Sequence, residues 1–254
     1  MSVTETANPV SLPTILALEV SIDRCTVGLL YKGSCIWRDA SGGRAAESIV
    51  PCIETLLADH EVSRSALDAV AFSAGPGGFT GLRVACGVAQ GLGWALDRPL
   101  LVVDSLAAVA WQVAALETQR VAVAIDARMG EVYAGLYSVD PNGEVQTVQA
   151  PWLANPEALL ATFARELDPS AAWVAAGDAF RVYPQLVESV TPSRWGRVDA
   201  TLSPRADAIG CIGASLWREG VRVLAQDAAP IYVRNKVALD VGEQRALRVS
   251  RGQI

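Results

Sequence analysis

Residues 73–83, SAGPGGFTGLR, concentrate the residue types that bring backbone amides close to an anion. Gly75, Gly77, Gly78 and Gly81 leave main-chain N–H groups uncovered. Helix-like sequence follows, and its N-terminus would favour negative charge. The spacing meets neither of the usual phosphate patterns. A P-loop needs a lysine directly after its last glycine, and the chain's only lysines are Lys32 and Lys236. The G-x-G-x-x-G spacing of a dinucleotide site is matched poorly. Two readings follow: an anion cradle, or a tight turn that starts a helix. The second is preferred, with Phe79 as a buried anchor, Thr80 and Gly81 opening the helix, and Arg83 holding the turn by hydrogen bonds to backbone carbonyls.

Three further groups invite chemistry. In LEVSIDRCTVG (18–28), Glu19 ends a strand where a magnesium-phosphate site would place an aspartate, and the turn Ser21–Arg24 has no glycine. Glutamate's extra methylene moves the carboxylate by about 1.5 Å, which matters for octahedral magnesium. Glu19 and Asp23 therefore read as solvated charges at a hairpin end. Ser73 precedes the glycine loop but lacks a histidine base, since His60 is the only histidine. In IDARMGEVYAG (125–135), Asp126, Arg128, Glu131 and Tyr133 gather at a strand end; structural turn chemistry is the preferred reading, a functional contact the alternative. No catalytic residue and no metal-ligand spacing emerges, and no cofactor is expected.

The elements that position these residues are legible. TILALEV (14–20), CTVGLLY (25–31) and SCIWRDA (34–40) are β-rich, and Lys32-Gly33 between the last two is a hairpin turn. Residues 44–59 place Ile49, Ile53, Leu56 and Leu57 on one helical face, with Pro51 expected to disturb the helix. LDAVAFS (67–73) and PLLVV (99–103) read as strands covered on both faces. A helix spans about 81–96, and Asp104 or Ser105 can cap another. The order then restarts: VAVAIDA (121–127), EVYAGLYSVD (131–140) and EVQTVQAP (144–151) as strands, a helix after Asn155-Pro156, and a strand at 171–178. Residues 205–219 form a late helix. β-β-β-α-β thus occurs twice, which predicts an α/β fold of two duplicated actin-like lobes with mixed sheets flanked by helices, as in actin-like ATPases and sugar kinases. The first lobe is assigned to 1–105, with the helix near 205–220 packing back on it, and the second to 106–204. The tail 240–254 reads as disordered.

Composition narrows the function. The 254 residues carry a formal net charge of -6, a poor footprint for gripping nucleic acid directly. Cys25, Cys35, Cys52, Cys86 and Cys211 are scattered and read as buried reduced thiols of a cytoplasmic protein. No stretch reaches the roughly 18 apolar residues of a membrane span.

ILALEV…CTVGLL, AGPGGFTGLRVACGVAQGL, VAVAIDARMGEVYAGLY and PIYVRNKVA (230–238), in that order, resemble the TsaB (YeaZ) family over about residues 14–239. The resemblance implies a degenerate actin-like ATPase fold. It also implies a non-catalytic scaffold subunit that docks on the catalytic subunit TsaD and supports threonylcarbamoylation of the tRNA adenosine 3′ of the anticodon. The ATPase TsaE is implied as a further partner, with tRNA reached only through the complex and no membrane contact. A homodimer is the alternative assembly. Relatives often carry aspartate-threonine at Glu19-Val20, serine at Gly78 and histidine at Ala45, departures that weaken any claim of residual nucleotide binding.

The resemblance further implies that the first two helices form the partner surface. Ser48, Cys52 and Thr55 would give a small uncharged stripe on the first. On the second, Gly87, Gly91 and Ala95 recur every four residues, as do Ala85, Ala89 and Gly93, which makes two small ridges. The rival functions are an active actin-like phosphotransferase and a peptidase. Magnesium-ATP binding would favour the first; the second needs a nucleophile or metal that the sequence does not display.

Overall fold

The computed structural model describes residues 12–22, 24–40, 45–168, 170–188 and 195–234. Asp23 and the tail 240–254 lie outside them. The first half runs β1 (Ile15–Glu19), β2 (Thr26–Tyr31), β3 (Ser34–Asp39), α1 (Ala45–Asp59), β4 (Ala69–Gly75), α2 (Phe79–Leu96), β5 (Leu100–Asp104) and α3 (Ser105–Trp111). The second runs β6 (Gln119–Arg128), β7 (Glu131–Val139), β8 (Val145–Ala154), α4 (Pro156–Glu166), β9 (Trp173–Ala176), α5 (Ala179–Val182), α6 (Gln185–Glu188), β10 (Trp195–Asp199) and α7 (Ala206–Arg218).

The strand orders are β3-β2-β1-β4-β5 and β10-β9-β6-β7-β8. Read from the first strand of each half, they are one topology used twice. In each half a meander of three antiparallel strands is extended by two parallel ones. Strand β10 (Trp195–Asp199) completes the second copy and was absent from the sequence reading. It is a short edge strand with three exposed residues in its middle, so it carries almost no apolar signal.

Period-two alternation sorts the core. Leu16 and Leu18 of β1, with Val70 and Phe72 of β4, face α1 and α2. Ile15, Ala17, Ala69 and Ala71 face the other way, toward α7. In the second sheet Ala122 and Ala124 face the α4 layer, while Val121, Val123 and Ile125 face Leu106, Val109 and Ala110 of α3. Helix α3, which ends the first half, therefore covers the second sheet, and α7, which follows the second half, covers the first. The two helices pack against each other between the sheets. Tyr137 of β7 adds a buried tie, donating to Asp104 Oδ2 at 2.6 Å.

Local signals explain the ends. Lys32 and Gly33 both adopt left-handed φ, as the tight β2–β3 hairpin requires. Asp104 accepts from Leu106 N, Asn155 accepts from Ala158 N, and Pro156 opens α4. Helix α1 continues through Pro51. Cys25, Cys52 and Cys86 are buried as expected, whereas Cys35 and Cys211 are only half-buried. Among the described residues no helix is long and apolar enough to cross a membrane.

Candidate functional site

Strands β1, β4 and β6 all end at one place. Their carboxyl-terminal turns line a cleft of about 480 Å³ between the lobes, where ligands of open α/β sheets usually bind. Residues from Val20–Ile22, Pro76–Leu82, Ile125–Arg128 and Ile231–Arg234 form its walls.

The glycine loop is shaped by the turn after β1. A Cβ on Gly77 would lie 2.3 Å from Ser21 O, and one on Gly81 only 1.8 Å from Val20 O. Gly78 N donates to Ser21 O at 2.7 Å. Gly77 and Gly81 are thus glycine because another backbone occupies the side-chain space. A Cβ on Gly78 would meet nothing nearer than 3.7 Å, so a serine fits there. Gly75 N donates to Ser105 Oγ at 3.1 Å, which ties the loop to the start of α3.

Two expectations for this loop need correction. Phe79 is half-buried, not a fully buried anchor. Arg83 does not bond backbone carbonyls: its guanidinium lies 3.6 Å over the Phe79 ring and its Nε donates to Tyr232 Oη at 3.0 Å. The first turn of α2 is at the surface, and its cover comes from the segment around Tyr232, whose ring is 5.5 Å from that of Phe79. Thr80 is exposed at the rim.

Glu19 is also corrected. It is not solvated but 1% exposed, because β1 is the central strand and its end lies under the loop leading into α2. Its Oε1 accepts from both N and Oγ of Ser21 at 2.5 Å, and Oε2 has no partner. Burial pushes its pKa up to about 7, against the lowering effect of hydrogen bonds from Ser21 and Ser73. Ser73 is fully buried with its Oγ accepting from Val20 N at 3.4 Å, so this hydroxyl serves the backbone. Among the described residues no three His, Cys, Asp or Glu groups gather as metal ligands.

The opposite rim is the β6–β7 hairpin. Arg128, Met129 and Gly130 are all left-handed there, with φ of 62°, 59° and 77°. Asp126 holds the tip: Oδ1 accepts from Arg128 N at 3.0 Å and from Tyr183 Oη at 3.1 Å, and Oδ2 faces Arg128 Nη1 at 3.3 Å. Asp126 N in turn donates to Asp178 Oδ1 at 2.9 Å. Glu131 and Tyr133 face Arg234, whose Nη2 donates to Glu131 Oε2 at 2.5 Å and whose guanidinium lies 5.8 Å from the Tyr133 ring centre. Asp126 and Arg128 thus form one pair, Glu131 and Tyr133 another. Ser21, Asp178, Tyr183, Tyr232 and Arg234 were missed as site residues by sequence reasoning. Only Tyr232 and Arg234 left a signal there, inside the stretch PIYVRNKVA.

The two ridges of α2 separate cleanly. Ala85, Ala89 and Gly93 are buried, while Gly87, Gly91 and Ala95 are exposed beside Trp94, which is 74% exposed. A Cβ on Gly87 or Gly91 would meet nothing within 4 Å. On α1, Ser48 is half-buried and Thr55 exposed, its Oγ1 donating to Pro51 O. Cys52 does not share that outer face: it is buried at 7% exposure, because it falls on the apolar stripe with Ile49, Ile53 and Leu56.

Two mixed sheets of one strand order, facing each other across a cleft at their strands' carboxyl ends, define a two-lobed protein of the actin-like ATPase fold. Residues 42–232 match the family model described as TsaD: tRNA N6-adenosine threonylcarbamoyltransferase. The chain is 32% identical over 229 residues to the Escherichia coli tRNA threonylcarbamoyladenosine biosynthesis protein TsaB, covering 88% of this chain and 96% of that one. Among solved structures, YeaZ from Pseudomonas aeruginosa superposes with a TM-score of 0.73 at 37% identity, covering 87% of this chain and 99% of that one. The chain belongs to the TsaB (YeaZ) family.

Two outcomes test this geometry. Gly81→Ala should lower the unfolding free energy by about 3 kcal/mol or more, since the new methyl must displace backbone; a urea melt matching wild type would show that the loop is not packed as described. Glu19, with its pKa raised from 4.5 to about 7, binds more protons folded than unfolded between those values. Its burial therefore lowers stability as pH rises through that window, by up to about 3 kcal/mol. Glu19→Gln should remove that part of the slope, so urea melts at pH 5 and pH 8 should differ less for the variant than for wild type.

Proposed function

We propose that this chain is a non-catalytic scaffold subunit in tRNA threonylcarbamoyladenosine biosynthesis. It docks on a TsaD-type catalytic subunit and keeps that subunit competent to modify the adenosine 3′ of the anticodon. TsaE joins the same assembly, and tRNA is held by the partners. The observation that carries the reading is the outer ridge of α2. Interior glycines cost a helix about 1 kcal/mol each relative to alanine, and packing inside this chain offsets nothing at Gly87 and Gly91, which face open space. A smooth ridge beside an exposed tryptophan fits the close approach of a foreign helix. The match to the TsaD family model supports pairing between chains of similar fold, through equivalent helices. The net charge of -6 supports leaving the RNA grip to partners. The inward Glu19, and the lack of a metal-ligand cluster among the described residues, support a degenerate cleft.

The same ridge also supports a homodimer, so the test measures both assemblies. Incubated with tRNA and threonylcarbamoyl-adenylate, the chain alone should leave the tRNA unmodified; product formed without TsaD would overturn the scaffold reading. Gly91→Arg should melt at or slightly above the wild-type temperature, because its side chain enters solvent in the monomer and arginine is the better helix former. In a complex it would bury an unpaired charge and weaken TsaD binding by about a hundredfold or more in calorimetric titration. Unchanged TsaD affinity would remove α2 from that interface. A loss confined to self-association in sedimentation would assign the ridge to the homodimer instead.

A further inference from the structure

Residues 230–234 cross the mouth of the cleft rather than staying on one lobe. On the first lobe, Ile231 N donates to Ala74 O at 2.7 Å. Ile231 O lies 2.5 Å from where a Cβ on Gly75 would stand, at a φ of +124° that suits glycine. The Tyr232 ring packs at a tilt against Phe79, and its Oη accepts from Arg83 Nε. Two residues later the chain is fastened to the second lobe. Val233 packs with the cluster that holds Ile125 and Tyr133. Arg234 Nη2 donates to Ala127 O at 3.0 Å as well as to Glu131. The Arg234 side chain is only 17% exposed, and its bonds to Glu131 and Ala127 both come from one atom, Nη2, while Nε is buried without a partner.

We infer that residues 231–234 are a built-in clasp, a segment of this chain that bridges the lobes and sets the opening of the cleft. In two-lobed proteins that close around a ligand, the ligand supplies that bridge; here the chain's own side chains do. Ile231 and Tyr232 are 46% and 44% exposed, so the segment lies over the surface and holds by its anchors rather than by core burial. The direct contact between the rims is weak by comparison, Tyr133 Oη reaching Gly77 O at 3.5 Å. The anchors act in series through one stretch of backbone. Loss of either side-chain anchor slackens the bridge even though Ile231 N still bonds Ala74 O, and loss of both slackens it no further.

Hydrogen–deuterium exchange on the full chain tests this, with Arg234→Ala, Tyr232→Ala and the double variant. Each single variant should speed amide exchange at both rims, residues 77–81 and 126–131, by about tenfold or more. The double variant should be no faster than the faster single one, and β1, β4 and β6 should keep their protection. The clasp is refuted if Arg234→Ala changes only 126–131, Tyr232→Ala changes only 77–81, and the two effects add. Should an alanine variant fail to fold, Tyr232→Phe and Arg234→Lys make the same comparison. Phenylalanine keeps the ring contact and loses the acceptor for Arg83. Lysine keeps a charge opposite Glu131 and loses the planar guanidinium beside the Tyr133 ring. A change on the opposite lobe supports the clasp, and a change confined to the same lobe refutes it.

Discussion

The carbonyl oxygens of Val20 and Ser21 stand where side chains on Gly81 and Gly77 would be. This backbone-on-backbone approach is the constraint on which the rest of the site depends. It presses the turn after β1 onto the loop before α2, so the central strand ends under cover rather than in solvent. Glu19 is buried as a result, with Oε1 held by Ser21 and Oε2 left without a partner. The same approach fixes where α2 begins. That sets the rotation of the helix, and hence which of its ridges points inward and which outward.

The cleft keeps the location of a ligand site while its walls are engaged in holding themselves together. Asp126 secures the Arg128 backbone, and Ser73 secures Val20. Arg234, the most enclosed cation of the rim, is bound to Glu131 and Ala127 O. Hydrogen-bonding capacity directed at neighbouring protein atoms is not available to a substrate, and desolvated groups of this kind would be costly to strip of their partners. On the outer ridge of α2, by contrast, Gly87 and Gly91 face open space.

Most of the architecture was legible in the sequence because it rests on local signals. Alternating apolar runs marked the strands, Lys32-Gly33 marked a hairpin, and Asp104 and Asn155-Pro156 marked helix starts. The repeated β-β-β-α-β order pointed to duplication, and strand order confirms it. The quoted motifs pointed to the family that the relatives show. The two small ridges of α2 could be counted at a spacing of four, but not assigned to inside or outside. Strand β10 went unseen because an exposed edge strand lacks the apolar alternation that reveals the others.

By itself the sequence determined most of the strands and the longer helices, the doubled order of those segments and the family. Each follows from residues close together in the chain or from motifs read in order. Tertiary structure alone decided that Glu19 is buried, that Phe79 is half-covered by Tyr232, that Cys52 faces the core, and that Arg234 meets Glu131. These depend on contacts between residues far apart in sequence, such as the 103 positions separating Glu131 from Arg234. Side-chain environment is set by what the fold brings alongside, and periodicity along the chain carries no record of the partner.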